Sequence, residues 1–225
     1  MRRKMEVVAS VTEPSSREKI LDAAELLFAQ RGFAGVGMRE VAEAVGLSKS
    51  SLFHHFRTKV ELYAAVAARI LAAFEERTAE IVAAPGDALE RFDRWLDAMI
   101  DTLAERPTRA RLLLRSLFED DDLAGESEGE KEVDAIIHRL FASVGHLLRE
   151  GMERGLFRVA SIPHLLQSLI GLLVYHFASG EFGETLLRQS LFAPAAVEKR
   201  KQEVKALLYS GMLVGTATRK ALRKL

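Results

Sequence analysis

Hydrophobic positions recur at three- and four-residue intervals along nearly the whole chain, and no stretch alternates in the way a half-buried strand does. The pattern predicts an all-α protein of about nine helices. The first, within Ser16 to Phe33, turns Ile20, Ala23, Ala24, Leu27 and Phe28 inward and ends at Gly32. Two short helical patterns then share one glycine between Met38 and Lys59. Val41, Ala42 and Val45 form the inner face of one, and Leu52 and Phe56 that of the other. Gly46 occupies the turn, where a positive φ would strain a residue bearing a Cβ. Leu47 plugs the corner, and Ser48 can cap the second helix. Further helices are expected near 58–83, 87–105, 107–118, 128–153, 162–179 and 194–217. The breaks fall at Pro85-Gly86, near Pro107, and in 119–130, 151–163 and 179–194. The acidic run from Glu119 to Glu130 reads as a solvated loop, because so many carboxylates cannot be buried together.

The paired short helices leave Lys49, Ser50, Ser51, Phe53, His54 and His55 on the outside, stacked at helical spacing away from Leu52 and Phe56. Hydroxyls, imidazoles and an ammonium are donors for phosphates and base edges, and no carboxylate interrupts the run from Leu47 to Val60. An αα-corner with a solvated polar face meets the same pattern. The flanks favour the nucleic-acid reading: a buttressing helix precedes the pair, Thr58 can cap the next helix, and Lys59 in its first turn favours a phosphate.

The chain has 225 residues, enough for one small and one medium domain, and a formal net charge of +0. Neutrality argues against a polyanionic partner only as an average. Residues 1–60 carry ten Lys/Arg against seven Asp/Glu, a balance of +3, so the remainder carries −3. The excess sits in the tail Arg2, Arg3, Lys4 and around the second short helix, where it can displace counterions from a duplex. The tail reads as a flexible solubilising segment, with a minor-groove arm as the alternative. Zero cysteines exclude a disulfide framework, a thiolate zinc site and a cysteine nucleophile. No signal-peptide core and no apolar run of about 20 residues is present, so a cytoplasmic protein without a membrane partner is expected.

The stretches REKILDAAELLFAQRGF and VGMREVAEAVGLSKSSLFHHFRTKVEL resemble, in order and spacing, the first helix, the helix-turn-helix and the fourth-helix start of the TetR family of bacterial transcriptional regulators. The resemblance implies that Arg39, Lys49, Ser50, Ser51, Phe53, His54, His55 and Lys59 sit where family members contact DNA. It covers the first sixty-odd residues. Phe53 stands where the family usually has tyrosine, so a phosphate-contacting hydroxyl is missing. Gly37 and Met38 stand where threonine is frequent.

Two later helices have more apolar surface than a monomer needs. Ile162 to Ala178 is apolar nearly all round, and Val204, Leu207, Leu208, Met212 and Leu213 form a stripe on the last helix. A homodimer through helices 162–179 and 194–217 is expected, which suits a palindromic operator. The resemblance implies the same pairing. Phe74, Trp95, Met99, Phe118, His138, Phe141 and Tyr175 are candidate walls of a ligand cavity. Periodicity alone reads such residues as core. The resemblance implies a small-molecule pocket in this domain, and the few inward charges then favour a largely apolar or aromatic effector.

No catalytic residues, metal or cofactor are expected. Ser50 with His54, and Ser51 with His55, share i, i+4 spacing on an open helix face that offers no oxyanion hole. His138 and His146 lack a carboxylate at ligand spacing, and Gly32, Gly35 and Gly37 follow no strand. The expected organisation is a basic tail over 1–14, a helix-turn-helix domain over 15–60, and a helical effector-binding and dimerisation domain over 61–225. The expected function is a dimeric repressor released from a palindromic operator by a small effector. A DNA-binding regulator without an inducer, an activator or a protein-controlled switch, is the alternative.

Overall fold

The computed structural model describes residues 15–116 and 127–215. They form ten helices: α1 Ser16–Arg31, α2 Met38–Ala44, α3 Lys49–His55, α4 Lys59–Ala83, α5 Ala88–Glu105, α6 Pro107–Ser116, α7 Glu128–Glu153, α8 Ile162–Ala178, α9 Glu181–Leu187 and α10 Pro194–Met212. The expected tail, Phe118 and the acidic residues up to Glu126 lie outside the described residues. Helices α1 to α3 make a small head. The 25-residue α4 continues from it, packing on α1 at one end and along α7 and α5 beyond.

Local chemistry explains most helix starts. Ser15 accepts from the Glu18 amide, Ser48 from Ser51 and Thr58 from Glu61, while Asp87 with Glu90 and Ser127 with Glu130 form reciprocal capping boxes. Each such cap stabilises its helix by about 1 kcal/mol. The Ser127 box corrects the loop reading of the acidic run: Glu128 to Glu130 belong to the first turn of α7, where carboxylates suit the helix dipole.

Three further differences have physical causes. The chain between Ser179 and Pro194, expected as a plain break, contains α9, entered through Gly180 at φ 54 and left through Arg188 in the left-handed region. Helix α10 stops at Met212, short of 217, because Leu213 forms an antiparallel bridge with Phe157 and Val214 donates to the Leu156 carbonyl at 3.1 Å. The α10 stripe is split. Val204, Met212 and Leu213 are buried, whereas Leu207 is 63% exposed. On α1 the inward face is rotated from the expected one, so Leu21, Glu25 and Ala29 are buried while Ala23 and Leu27 are only half-buried.

Polar seams fasten the layers. Lys205 of α10 is buried between Asp93 and Asp97 of α5, and Tyr209 donates to Asp93. Arg91 of α5 reaches Glu150 of α7 at 2.6 Å. Arg200 of α10 donates to the Leu172 carbonyl of α8 at 2.6 Å. Among the described residues no single helix is long and apolar enough to cross a membrane.

Two predictions follow from this packing. A Cβ on Gly151 of α7 would overlap the Phe157 ring that closes the core beneath it. Gly151→Ala is therefore expected to cost about 1–3 kcal/mol in urea unfolding. The second concerns His176, whose Nε2 is buried without a hydrogen-bond partner. Burial, and then the nearby Arg200 charge, push its pKa down to about 4 from 6.5. The unfolded state thus binds the proton first, so the stability that the neutral ring contributes is present above pH 6.5 and is lost as pH falls toward 4. Urea midpoints measured across that window should fall with pH, and His176→Leu should flatten the slope by up to one proton.

Candidate nucleic-acid interface

The head is built around the α2–α3 corner. Val41, Ala42, Leu52 and Phe56 are buried and lock the two helices together. Helix α2 ends at Val45, and Gly46 follows at φ 68, a conformation costing a residue with a side chain about 1–2 kcal/mol. The turn satisfies the helix end: Gly46 donates to the Glu43 carbonyl at 3.1 Å and Leu47 to that of Ala42 at 2.9 Å. Ser48 then caps α3, its Oγ lying 2.9 Å from the hydroxyls of both Ser50 and Ser51.

With Leu52 and Phe56 inward, Lys49, Ser50, Ser51 and His54 are exposed on the opposite face, and Phe53 and His55 are half-buried beside them. The Lys49 ammonium lies 5.5 Å from the Phe53 ring centre, so this phenyl group supports a cation at the surface. Arg39 on α2 is exposed and pairs with Glu43 at 2.8 Å. Glu40 pairs with Arg31 at 2.6 Å, and that guanidinium holds its carboxyl below the usual range. Both α2 carboxylates are thus matched by arginines.

Lys59 differs from the expected phosphate contact. Its ammonium is half-buried, donates to the Phe33 carbonyl at 2.9 Å and sits 4.2 Å above the Phe33 ring, so it pins the α1–α2 connection to α4. The amides at the α4 start are also occupied, Glu61 N by Thr58 and Arg57 N by the Glu61 carboxylate. A cation not singled out by the helix-turn-helix pattern lies nearby: Arg17, 5.1 Å over the Phe56 ring. Its place in the first turn of α1 gave no periodic signal.

In the larger body a cavity of about 600 Å³ lies between α4, α5, α7 and α8, within the range of ligand sites. Phe74, Trp95, Met99 and Phe141 line it. His138 and Tyr175 do not, which corrects their assignment as cavity walls. On α7 the inward positions are Val133, Asp134, Ile137 and Phe141, and His138, one step of about 100° further round, is exposed with Nδ1 2.7 Å from the Asp134 carbonyl. On α8 the same step takes Tyr175 past Val174 to the outer face, where it is 53% exposed. Thr78 is a buried residue that periodicity missed: it accepts from Trp95 Nε1 at 3.0 Å and fixes the indole.

Comparisons with known proteins agree with this geometry. Residues 20–66 match the family model described as bacterial regulatory proteins, tetR family. The repressor AcnR of Corynebacterium glutamicum is 38% identical over 106 residues, covering 43% of this chain and 54% of AcnR. The chain spans about half the length of the curated relatives it matches. Among solved structures, the ketosteroid regulator KstR2 of Mycobacterium tuberculosis superposes with a TM-score of 0.72 at 19% identity, over 89% of this chain and 96% of KstR2. AibR, solved with isovaleryl coenzyme A and operator DNA, gives 0.67 at 20% identity, over 84% and 95%. At such identities these two likenesses concern the fold alone. The head, residues 20–66, thus matches the tetR family of bacterial regulatory proteins by sequence, and the body is similar in architecture to solved transcriptional regulators.

Proposed function

We propose that this protein is a dimeric transcriptional repressor that reads a palindromic operator through α3 and is released when a small, largely apolar molecule occupies the body cavity. The observation that carries the reading is the uncovered row Lys49, Ser50, Ser51 and His54, presented by a corner held by the inward Val41, Ala42, Leu52 and Phe56. Arg39, Phe53 and His55 flank that row, and Lys59 contributes chiefly by holding the head on α4. The reading divides the chain into a DNA-binding domain over 15–60 and an effector and dimerisation domain over 61–225. AcnR and its relatives, named as repressors, support the sign of regulation, and the operator complex of AibR supports the docking mode.

The dimer rests on the outer faces of α8 and α10. Ser168, Gly171 and Tyr175 are exposed at helical spacing on α8, as are Leu207, Ser210, Gly211 and Val214 on and just after α10. A Cβ on Gly171 or Gly211 would meet nothing within 4 Å, so these faces are flat enough for a second copy to approach closely. A regulator without an inducer is the second reading, and the cavity weighs against it. Release requires the ligand to favour the non-operator state, by about 5.5 kcal/mol to move a balance from 1:99 to 99:1.

The test is a mobility-shift titration on DNA upstream of the protein's own gene. A sequence-specific complex at moderate salt is expected, and absence of any sequence preference would sink the reading. Lys49→Ala should weaken the complex and, where the ammonium meets a phosphate, lower the salt slope by about one unit. Lys59→Ala should instead lower the thermal midpoint of the free protein as well as its affinity. Gly171→Glu, which places a charge on the α8 face, should yield monomers by light scattering and abolish operator binding while helical content is retained.

A further inference from the structure

Among the described residues, no Lys, Arg or His lines the cavity, and its charged members are Glu130 and Asp134 on α7. Glu130 is engaged with Ser127 in the capping box. The positive end of α7 therefore already has a carboxylate of its own beside it, and two of its amides, those of Ser127 and Glu130, are taken within the box. Asp134 is exposed at the mouth. On the same helix face Lys131 is paired with Glu128, and His138 turns its Nδ1 to the Asp134 backbone carbonyl at 2.7 Å; Arg139, further round, is paired with Glu75 and Glu132. The buried part of the wall includes Tyr63, Phe74 and Trp95, with Phe141 nearer solvent, and such ring faces carry the negative end of the aromatic quadrupole. Of the polar hydrogens in the wall, the Trp95 N–H is already given to Thr78 and the Ser116 hydroxyl to the Leu113 carbonyl.

From this arrangement we infer that the cavity selects an apolar monocation, an amine or quaternary ammonium on a hydrocarbon or aromatic tail, with Asp134 as the group that receives the charge. The inference rests on the cavity being an effector site. It separates this chain from AibR, whose ligand, isovaleryl coenzyme A, is a polyanion. An anionic headgroup here would meet two carboxylates at the mouth and no base in the wall, so like-charge repulsion and desolvation both oppose it.

The chain contains a single tryptophan, Trp95, and that indole lines the cavity, so its fluorescence reports occupancy of this site. The intact protein would be titrated at neutral pH with three probes that share one tail: phenylhexyl-trimethylammonium, phenylhexanol and phenylheptanoate. Saturable binding is expected for the ammonium, about tenfold tighter than for the carboxylate, with the alcohol between. Asp134→Asn, an exposed position whose change leaves the core intact, should weaken the ammonium about three- to fivefold and leave the alcohol unchanged. Carboxylate binding as tight as that of the ammonium, or an Asp134→Asn variant with full ammonium affinity, overturns the inference while the effector cavity stands. A Trp95 signal unmoved by all three probes overturns both.

Discussion

The carboxylate of Glu25 is 3% exposed, and the relation between head and body depends on how its charge is met. It lies on α1, receives a hydrogen bond from Arg69 of α4 at 2.6 Å, and is bonded by Thr108 at the start of α6. Arg106, in the α5–α6 connection, stands 3.7 Å away. Asp22 and Glu18, one turn and two turns up the same helix, share Arg69, and Asp22 also receives Arg106. Burial opposes the Asp22 charge, but the two guanidinium groups outweigh it and hold that carboxyl below its usual range. A buried carboxylate stripped of its partner costs several kcal/mol, so the head can turn relative to α4 and α6 only if these pairings are exchanged together. The seam adds little net stability over an apolar one, and what it specifies is the angle at which the head is held.

The corner that would face DNA was legible because all of its determinants are local. A glycine at the turn, a serine at the cap and two apolar residues four apart are enough to say which side of α3 is out, and burial of Leu52 and Phe56 agrees. Helices α4 to α8 were legible for the same reason, since each spans several turns. Helix α9 has seven residues with Gly183 in the middle, too short for a period to emerge. The end of α10 is set by a pairing with Phe157, 56 positions earlier, which no local pattern contains.

The cavity was legible only by residue type. Phe74, Trp95, Met99 and Phe141 are large and apolar, and all four line the body cavity, Phe141 from an exposed position. Residue type also puts His138 and Tyr175 among the candidate walls, but one residue on a helix is about 100° of rotation, and both fall outside. The polar groups that do matter there, Thr78 and Asp134, look in sequence like ordinary surface residues. Glu25 is another such case: the partners that explain it are 44 and 83 residues away, and only the fold brings them to one place.

Tyr63 borders the cavity and, on its other side, packs edge-on against Phe28 and Phe33 at centroid separations of 5.0 and 5.3 Å. Phe33 is also the residue whose carbonyl and ring hold Lys59. The compartment proposed to take a small molecule and the compartment proposed to carry the reading surface therefore share one aromatic ring as a wall, with no inert spacer between them. Interiors packed to crystal density do not absorb a ring displacement quietly. A guest that shifts Tyr63 by a fraction of its width is felt at once in the hydrophobic heart of the head, over a relay two side chains long.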